Sequence, residues 1–186
     1  MQTRQKQKLL ILQNILLNET DENHKLTVNE LIEKLAAHGV SVERKTVYDD
    51  IATLIDSGLD VMIEKVGHSN YYYIGSRNFQ DEELLVLADA VASSKFLTKK
   101  KSDELIKKLQ NLTSKYKAQQ LRRMIYVGNR VKTYNEAIYY SINAIHDAIF
   151  RDRQIVFRYT EYDLEKKKRY RHHGEVYQVS PYYLIW

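Results

Sequence analysis

The sequence predicts an α+β fold that is mostly helical, and three observations support this prediction. The 186 residues include six glycines and one proline, too few turn formers for a sandwich of many short strands. Apolar residues recur at three- and four-residue spacing in several stretches before residue 150, which is the period of an amphipathic helix. After residue 153 apolar and polar residues alternate instead, which is the period of a half-buried strand.

Two helices are predicted before Gly39. Residues 4–18 carry apolar side chains at helical spacing, and the polar stretch NETDENHK that follows ends the first helix. Thr27 and Glu30 have the spacing of a capping box, in which the Thr27 hydroxyl accepts a backbone N–H and the Glu30 carboxylate reaches back. A second helix therefore begins after Thr27, and it ends at Gly39.

A third helix and a β-hairpin are predicted next. The helix covers residues 43–57 after a connection of about four residues. Its expected buried stripe is Val47, Ile51, Leu54 and Ile55. Residues 60–74 alternate apolar and polar side chains on either side of the turn sequence GHSN, which indicates a hairpin. Three helices, two of them joined by a tight turn, and a hairpin are typical of a winged helix-turn-helix, which we expect over residues 1–78.

The net charge does not by itself identify a nucleic-acid binder. The chain carries 29 Lys and Arg against 24 Asp and Glu, a formal charge of +5. Residues 1–78 hold nine Lys and Arg against eleven Asp and Glu, which is −2, whereas residues 79–150 hold twelve against eight and residues 151–186 eight against five. Binding of DNA by the first segment would therefore depend on a few cations at particular positions.

We predict that the third helix enters the major groove with its N-terminal end first. The predicted base and phosphate contacts on this helix are Arg44, Lys45, Thr46 and Tyr48, all hydrogen-bonding types. The further contacts that we expect are Thr27 and Asn29 at the start of the second helix, Lys8 on the first helix, and His68 and Asn70 at the hairpin turn. On composition alone an ordinary charged helix face would explain the first group, and the three helices with a hairpin favour the contact role; helix capping alone would explain Thr27.

A helical linker is expected over residues 79–133. One helix is predicted over 79–94, with acidic residues in its first turn, and another over 101–116. Neither helix can bury its apolar stripe alone, so the pair must pack on another segment or on a second copy of the chain. A homodimer is therefore expected.

The last segment, residues 134–186, predicts one helix followed by three strands. The helix covers 135–150, and the strands cover 154–159, 169–180 and 182–186. The last strand has no partner in the sequence, so we expect this segment to be part of an incomplete domain.

Enzymatic activity, a cofactor and a metal site are not expected. The sequence has no Walker loop, no GxSxG, no HExxH and no cysteine. Asp49 and Asp50 diverge by about 100° on a helix, and Asp50 is expected to support the junction between helix and hairpin instead. His172 and His173 would point to opposite faces of a strand. The chain also lacks a signal peptide and an apolar run of membrane-spanning length, so we expect a cytoplasmic protein.

Several stretches resemble the WYL-domain transcriptional regulators of bacteria. They are RKTVYDDI at 44–51, ELLVLADA at 83–90 with SSKF at 93–96, the region from Ala148 to IVFRY at 155–159, and YQVSPYYL at 177–184. Members of this family join a DeoR-type winged helix to an Sm-like β-barrel, the WYL domain. The resemblance implies a sequence-specific DNA-binding regulator and makes residues 134–186 the N-terminal part of a WYL domain.

The resemblance also implies a ligand, often proposed to be a nucleotide or a nucleic acid, bound by the barrel. Arg158, Tyr159, Ser180 and Tyr182 match barrel positions near its groove. The Trp-Tyr-Leu triplet that names the domain would lie beyond Trp186, so the chain departs from the family there and is expected to hold a truncated barrel. The alternative function is an RNA- or nucleotide-binding Sm-like module whose winged helix mediates protein contacts.

Overall fold

The chain folds as two compact units. The structure is a computed structural model that describes residues 2–124, 132–135 and 137–185. The first unit is Met1–Ser94 with Lys99–Val131, and the second is Lys95–Thr98 with Lys132–Trp186. The fold is α+β and mostly helical, with small antiparallel sheets, as the sequence predicts.

The first unit begins with three helices and a hairpin, close to the predicted bounds. Its first elements are α1 (Gln2–Glu19), β1 (Leu26–Thr27), α2 (Val28–Ala37), α3 (Arg44–Asp56), β2 (Val61–Val66) and β3 (Ser69–Ile74). The strands form one antiparallel sheet in the order β1-β3-β2. The predicted capping box of α2 is confirmed, because Thr27 Oγ1 accepts from the Glu30 N–H at 3.4 Å and Glu30 Oε2 accepts from the Thr27 N–H at 2.7 Å.

These elements share one apolar core. The core side chains are Leu12, Ile15, Leu16, Val28, Leu31, Leu35, Val47, Ile51, Leu54, Val61, Tyr72 and Ile74. Ile55, predicted as part of the buried stripe, is 38% exposed. It lies about 100° around the helix from Leu54, outside the stripe that the i, i+4, i+7 spacing of the buried residues defines.

The hairpin turn is shorter than predicted. Gly67 and His68 alone connect the strands, and Gly67 has φ +60°, which suits the first position of a tight hairpin turn. Asn70, predicted in the turn, lies in β3 opposite Lys65.

Three further helices complete the first unit: α4 (Asp81–Ser93), α5 (Lys99–Gln110) and α6 (Lys115–Met124). The prediction of one helix over 101–116 is wrong. α5 ends in a turn at Asn111, and a new helix starts after Ser114, whose hydroxyl accepts from the Lys117 N–H at 3.2 Å. Leu121 of α6 joins the buried cluster of α4 and α5, so the apolar stripes of those helices are covered by the same chain.

Hydrogen bonds join the end of α1 to β3, to the segment before α4 and to the start of α6. Arg77 Nη2 donates to the carbonyl oxygens of Leu17 at 2.9 Å and Thr20 at 2.7 Å, which satisfies acceptors that a helix end leaves free. Asp21 is fully buried and accepts from Ser114 Oγ at 2.5 Å. The Thr20 hydroxyl accepts from the Ile74 N–H at 3.1 Å. We call the residues Thr20, Asp21, Arg77 and Ser114 the α1 junction.

The second unit contains one helix and a β-ribbon. Its elements are α7 (Ala137–Phe150), β4 (Ile155–Arg158), β5 (Thr160–Tyr162), β6 (Lys168–Tyr170), a 3₁₀ turn (Arg171–Gly174) and β7 (Val176–Val179). β4 pairs with β7 and β5 with β6, both antiparallel. The Arg171 N–H donates to the Tyr159 carbonyl at 2.9 Å and joins the two ladders.

Two strand predictions in this unit are wrong. The expected strand over 169–180 is interrupted by the 3₁₀ turn, where His172 and His173 adopt left-handed φ of 47° and 54° and so do not alternate across a strand. Residues 180–185 form no strand. The described part of the chain contains no closed barrel.

None of the helices, over the residues that the structure describes, combines the length and apolarity that crossing a membrane requires.

We expect Arg77→Ala to lower the free energy of unfolding by about 1–3 kcal/mol, because two carbonyl groups at the end of α1 lose a charged donor. Urea denaturation of the full chain measures this, with Lys107→Ala on the exposed side of α5 as the matched control. Equal stability of the two variants would contradict the role given to Arg77.

The Asp21 carboxylate should make stability depend on pH. Burial alone would raise its pKa, but hydrogen bonds from Ser114, His24 and Asn23 outweigh burial, and the pKa lies below its ordinary value of 3.8. Its stabilisation is therefore complete above about pH 4 and is lost as the pH falls through the lowered pKa. Asp21→Asn should reduce stability at neutral pH and flatten the loss of stability on acidification, in denaturation series at several pH values. The exposed substitution Asp103→Asn should change neither.

Candidate nucleic-acid interface

The N-terminal half of α3 presents polar and cationic side chains outward. Val47 and Ile51 are buried and fix the orientation of the helix. Arg44 and Tyr48 flank this buried stripe, whereas Lys45 lies about 160° around the helix from Val47. Arg44 Nε donates to the Tyr48 hydroxyl at 3.0 Å, and the Arg44 guanidinium lies 5.8 Å from the centre of the Tyr48 ring. Lys45 is exposed next to this pair. The guanidinium keeps further N–H donors for a ligand, since this bond uses only Nε.

The hairpin adjoins this end of α3 through Tyr72. Tyr72 is 2% exposed, and burial raises the pKa of its phenol, while a hydrogen bond with Asn70 opposes the rise. Tyr48 and Arg44 also act on this pKa, so they lie within electrostatic range of Tyr72. Asn70 and its strand partner Lys65 stand on the same face of the sheet as Tyr72. Arg44, Lys45, Tyr48, Lys65 and Asn70 form what we call the α3–hairpin surface.

The cations of this surface differ from the other described cations of the first 78 residues, which are held by acidic side chains or by backbone carbonyls. Lys8 pairs with Asp50, Lys25 with Glu64, and Lys34 with Glu19, while Arg77 donates to backbone carbonyls. Among the described side chains of this segment, the cations held neither by an acidic side chain nor by backbone carbonyls are Arg44, Lys45 and Lys65. Positive charge is therefore uncompensated on the α3–hairpin surface, although the segment as a whole is net negative.

Lys8 is not placed for a phosphate contact. Its ammonium lies 2.7 Å from Asp50 Oδ2, and the two side chains are only 11% and 15% exposed. Within the described residues Asp50 Oδ2 has no hydrogen bond besides this ion pair, so Lys8 is what compensates the carboxylate. Asp50, expected to support the junction of α3 with the hairpin, instead holds α3 to α1.

The remaining predicted DNA contacts differ in their surroundings. The Thr27 hydroxyl donates to Glu30 Oε2 at 2.8 Å, so this helix start already holds a carboxylate that would repel a phosphate. Asn29, two residues after Thr27, is exposed. Thr46 is half-buried beside Val47, and His68 is exposed in the turn.

The four residues predicted near a barrel groove are brought together only in part. Arg158 lies 5.8 Å from the Tyr170 ring, and Tyr159 contacts Tyr177 edge-on at 6.2 Å. Ser180 accepts from Gln154 at 3.3 Å at the other end of the β4–β7 ladder, about 13 Å from Arg158 by strand rise. Tyr182 is 81% exposed. In the described part of the chain no three His, Asp or Glu side chains converge on a metal site.

Sequence reasoning missed Lys65 and Tyr72. A strict alternation across the hairpin would have placed both on the face of Asn70, but the turn was predicted two residues too long. The link from Tyr72 to Arg44 and Tyr48 depends on how α3 packs against the sheet, which no local pattern encodes.

Comparison with models of known protein families gives no match, and comparison with curated proteins gives none either.

The ion pair of Lys8 and Asp50 should act on stability and not on DNA affinity. Lys8→Met leaves a buried carboxylate uncompensated and should lower the free energy of unfolding by roughly 2–3 kcal/mol. Adding Asp50→Asn should recover part of the loss, because the unpaired charge is then gone. Chemical denaturation of the two single variants and the double variant measures this coupling. A strictly additive double variant would contradict it.

Proposed function

We propose that residues 1–78 are a winged helix-turn-helix and that the chain is a sequence-specific, dimeric, DNA-binding transcriptional regulator. In this proposal α3 is the recognition helix and enters the major groove, and the hairpin β2–β3 is the wing. The uncompensated cations of the α3–hairpin surface carry the proposal. Three helices packed with a hairpin on one core support it, as does the resemblance to WYL-domain regulators.

The side chains on the α3–hairpin surface have different roles in this proposal. Arg44 and Lys45 donate to guanine acceptors or to phosphates, and Tyr48 orients Arg44 through their hydrogen bond. Lys65 and Asn70, on the wing, contact the sugar-phosphate backbone of the DNA. In the same proposal the second unit of the chain binds a nucleotide or nucleic acid, and this ligand changes the affinity of the protein for DNA. This part of the proposal depends on the family resemblance alone.

A second candidate function is binding of RNA or a nucleotide by the β-ribbon. The observation in its favour is a set of exposed aromatic rings beside guanidinium groups, Tyr170 with Arg158 and Tyr159 with Arg171, each at 5.8 Å. Bases stack on such rings without sequence preference. Tighter binding of single-stranded RNA than of duplex DNA would favour this candidate. In that case Tyr159→Ala should abolish RNA binding and Lys45→Ala should leave it unchanged.

Lys45→Ala and Tyr48→Ala should weaken binding to the operator that the protein selects from a random duplex library. Loss of a base-directed contact should cost about 1–3 kcal/mol and reduce discrimination between sequences. Fluorescence anisotropy with selected and scrambled duplexes measures both quantities, with Lys107→Ala as the control. Equal affinity for all duplexes, or unchanged affinity in both variants, would refute sequence-specific recognition by α3.

The salt dependence of DNA binding should be modest. Three uncompensated cations on the α3–hairpin surface predict a slope of log affinity against log salt concentration of about −3 per protomer. Lys65→Ala should reduce the magnitude of this slope by about one and weaken binding to all sequences alike. A much steeper slope would indicate that another basic surface makes most of the phosphate contacts.

A further inference from the structure

The stripe of α3 that points furthest from the core carries charges of both signs. Counted around the helix from the buried residue Val47, the angular positions are about 160° for Lys45, 180° for Asp56 and 200° for Asp49. The last three side chains are all exposed. The outermost stripe therefore holds one cation near the N-terminal end of α3 and two carboxylates further along the helix.

Asp49 lies one helical turn beyond Lys45 and faces the same way. The two positions differ by about 40° around the helix and by about 6 Å along it. Among the side chains that the structure describes, neither Lys45 nor Asp49 has an ion-pair or hydrogen-bond partner. A lysine four residues ahead of an acidic residue is the less favourable order for a helical ion pair, because each charge then opposes the helix dipole. Both charges are therefore available to a ligand that contacts this side of α3.

The Asp49 carboxylate requires a hydrogen-bond donor when α3 enters the major groove. Duplex DNA carries one negative charge about every 1.7 Å along its axis, so a carboxylate that met only phosphates would weaken binding to every sequence. The next side chains on this side of the helix supply no such donor. The Thr53 hydroxyl already donates to the Asp49 carbonyl at 2.8 Å, and the exposed side chain of Ala52 is a methyl group. The donor must then come from the edge of a base.

Cytosine is the base whose major-groove edge suits a carboxylate. Its N4 amino group donates, and its own edge carries no acceptor. Adenine has the N7 acceptor beside its amino group, guanine has two acceptors and thymine has one. A carboxylate therefore favours cytosine, because the acceptors of the other three bases repel it. An ammonium group has the opposite preference, and the O6 and N7 acceptors of guanine suit Lys45.

We propose that Asp49 determines specificity at one position of the operator, where its carboxylate accepts from the N4 amino group of a cytosine. The inference rests on the proposed function, because it requires α3 to lie in the major groove. The separation of about 6 Å between Lys45 and Asp49 along the helix spans at most two steps of about 3.4 Å between successive bases. The cytosine therefore lies within two base pairs of the base that Lys45 contacts.

Selection from a random duplex library, made separately with the unchanged chain and with variants at Asp49, tests this inference. The sequence selected by Asp49→Asn should differ from that of the unchanged chain at one position, with adenine in place of cytosine, because an amide donates to N7 and accepts from the N6 amino group of adenine. Asp49→Ala should bind all four bases at that position with similar affinity. The unchanged chain should bind a duplex with another base there about tenfold more weakly.

Asp56→Asn is the matched control. Asp56 is exposed on the same stripe and carries the same charge, but it is the last residue of α3 and lies about 10 Å beyond Asp49 along the helix. This substitution should leave the selected sequence unchanged and strengthen binding slightly to all duplexes alike, because one repelling charge is lost. Fluorescence anisotropy with the selected duplex and its single-base variants measures these affinities, and thermal unfolding checks that each variant is folded.

The outcomes separate this inference from the proposed function. If the unchanged chain and Asp49→Asn select the same sequence, the role of Asp49 is wrong and sequence-specific recognition by α3 stands. The same holds if the altered position prefers a base other than cytosine in the unchanged chain, or if Asp56→Asn alters the selected sequence in the same way. A chain that selects no sequence at all contradicts the proposed function, and the role of Asp49 is then wrong as well.

Discussion

The α1 junction is the constraint that the rest of the first unit depends on. Arg77 holds the end of α1 to the segment after β3, and Thr20 holds the end of α1 to Ile74 in β3. The buried Asp21 holds the end of α1 to Ser114 at the start of α6. Around it Lys117 pairs with Glu22 at 2.8 Å and with Asp81 at 2.6 Å. A buried carboxylate is costly unless its partners satisfy it, and four hydrogen bonds do so here. Packing of α4 to α6 against α1 therefore depends on polar groups as well as on apolar area.

The pairing of charges also determines where the α3–hairpin surface lies. Four of the seven cations whose side chains the structure describes in the first 78 residues lie within reach of a carboxylate or a carbonyl. The other three, Arg44, Lys45 and Lys65, leave positive charge uncompensated at the N-terminal half of α3 and on the hairpin beside it. Net charge is then a poor guide to what a segment binds, because a net negative segment can present a local positive surface. The buried pair of Lys8 and Asp50 contributes by fixing α3 on α1, which sets the direction in which Arg44 and Lys45 point.

Local chemistry made part of this structure predictable. The capping box at Thr27 and the buried residues Val47, Ile51 and Leu54 of α3 are encoded within a few residues, so they were predicted correctly from the sequence, whereas Ile55 was not. The break before α6 was not predictable in that way, because Ser114 bonds to Asp21, 93 positions earlier in the sequence. Lys8 was assigned to phosphate for the same reason: an exposed lysine and a paired lysine look alike until the helix that carries the partner is in place. The left-handed backbone conformation of His172 and His173 was likewise not predictable from local sequence, because it depends on how the β-ribbon turns.

The α1 junction has a geometric consequence for the first unit. α3 and α4 belong to the same unit, and the junction joins α1 and the hairpin to the segment that leads into α4. The orientation of α3 relative to α4–α6 therefore depends on Arg77 and Asp21. A substitution at either residue would shift the α3–hairpin surface relative to those helices, although neither residue belongs to that surface.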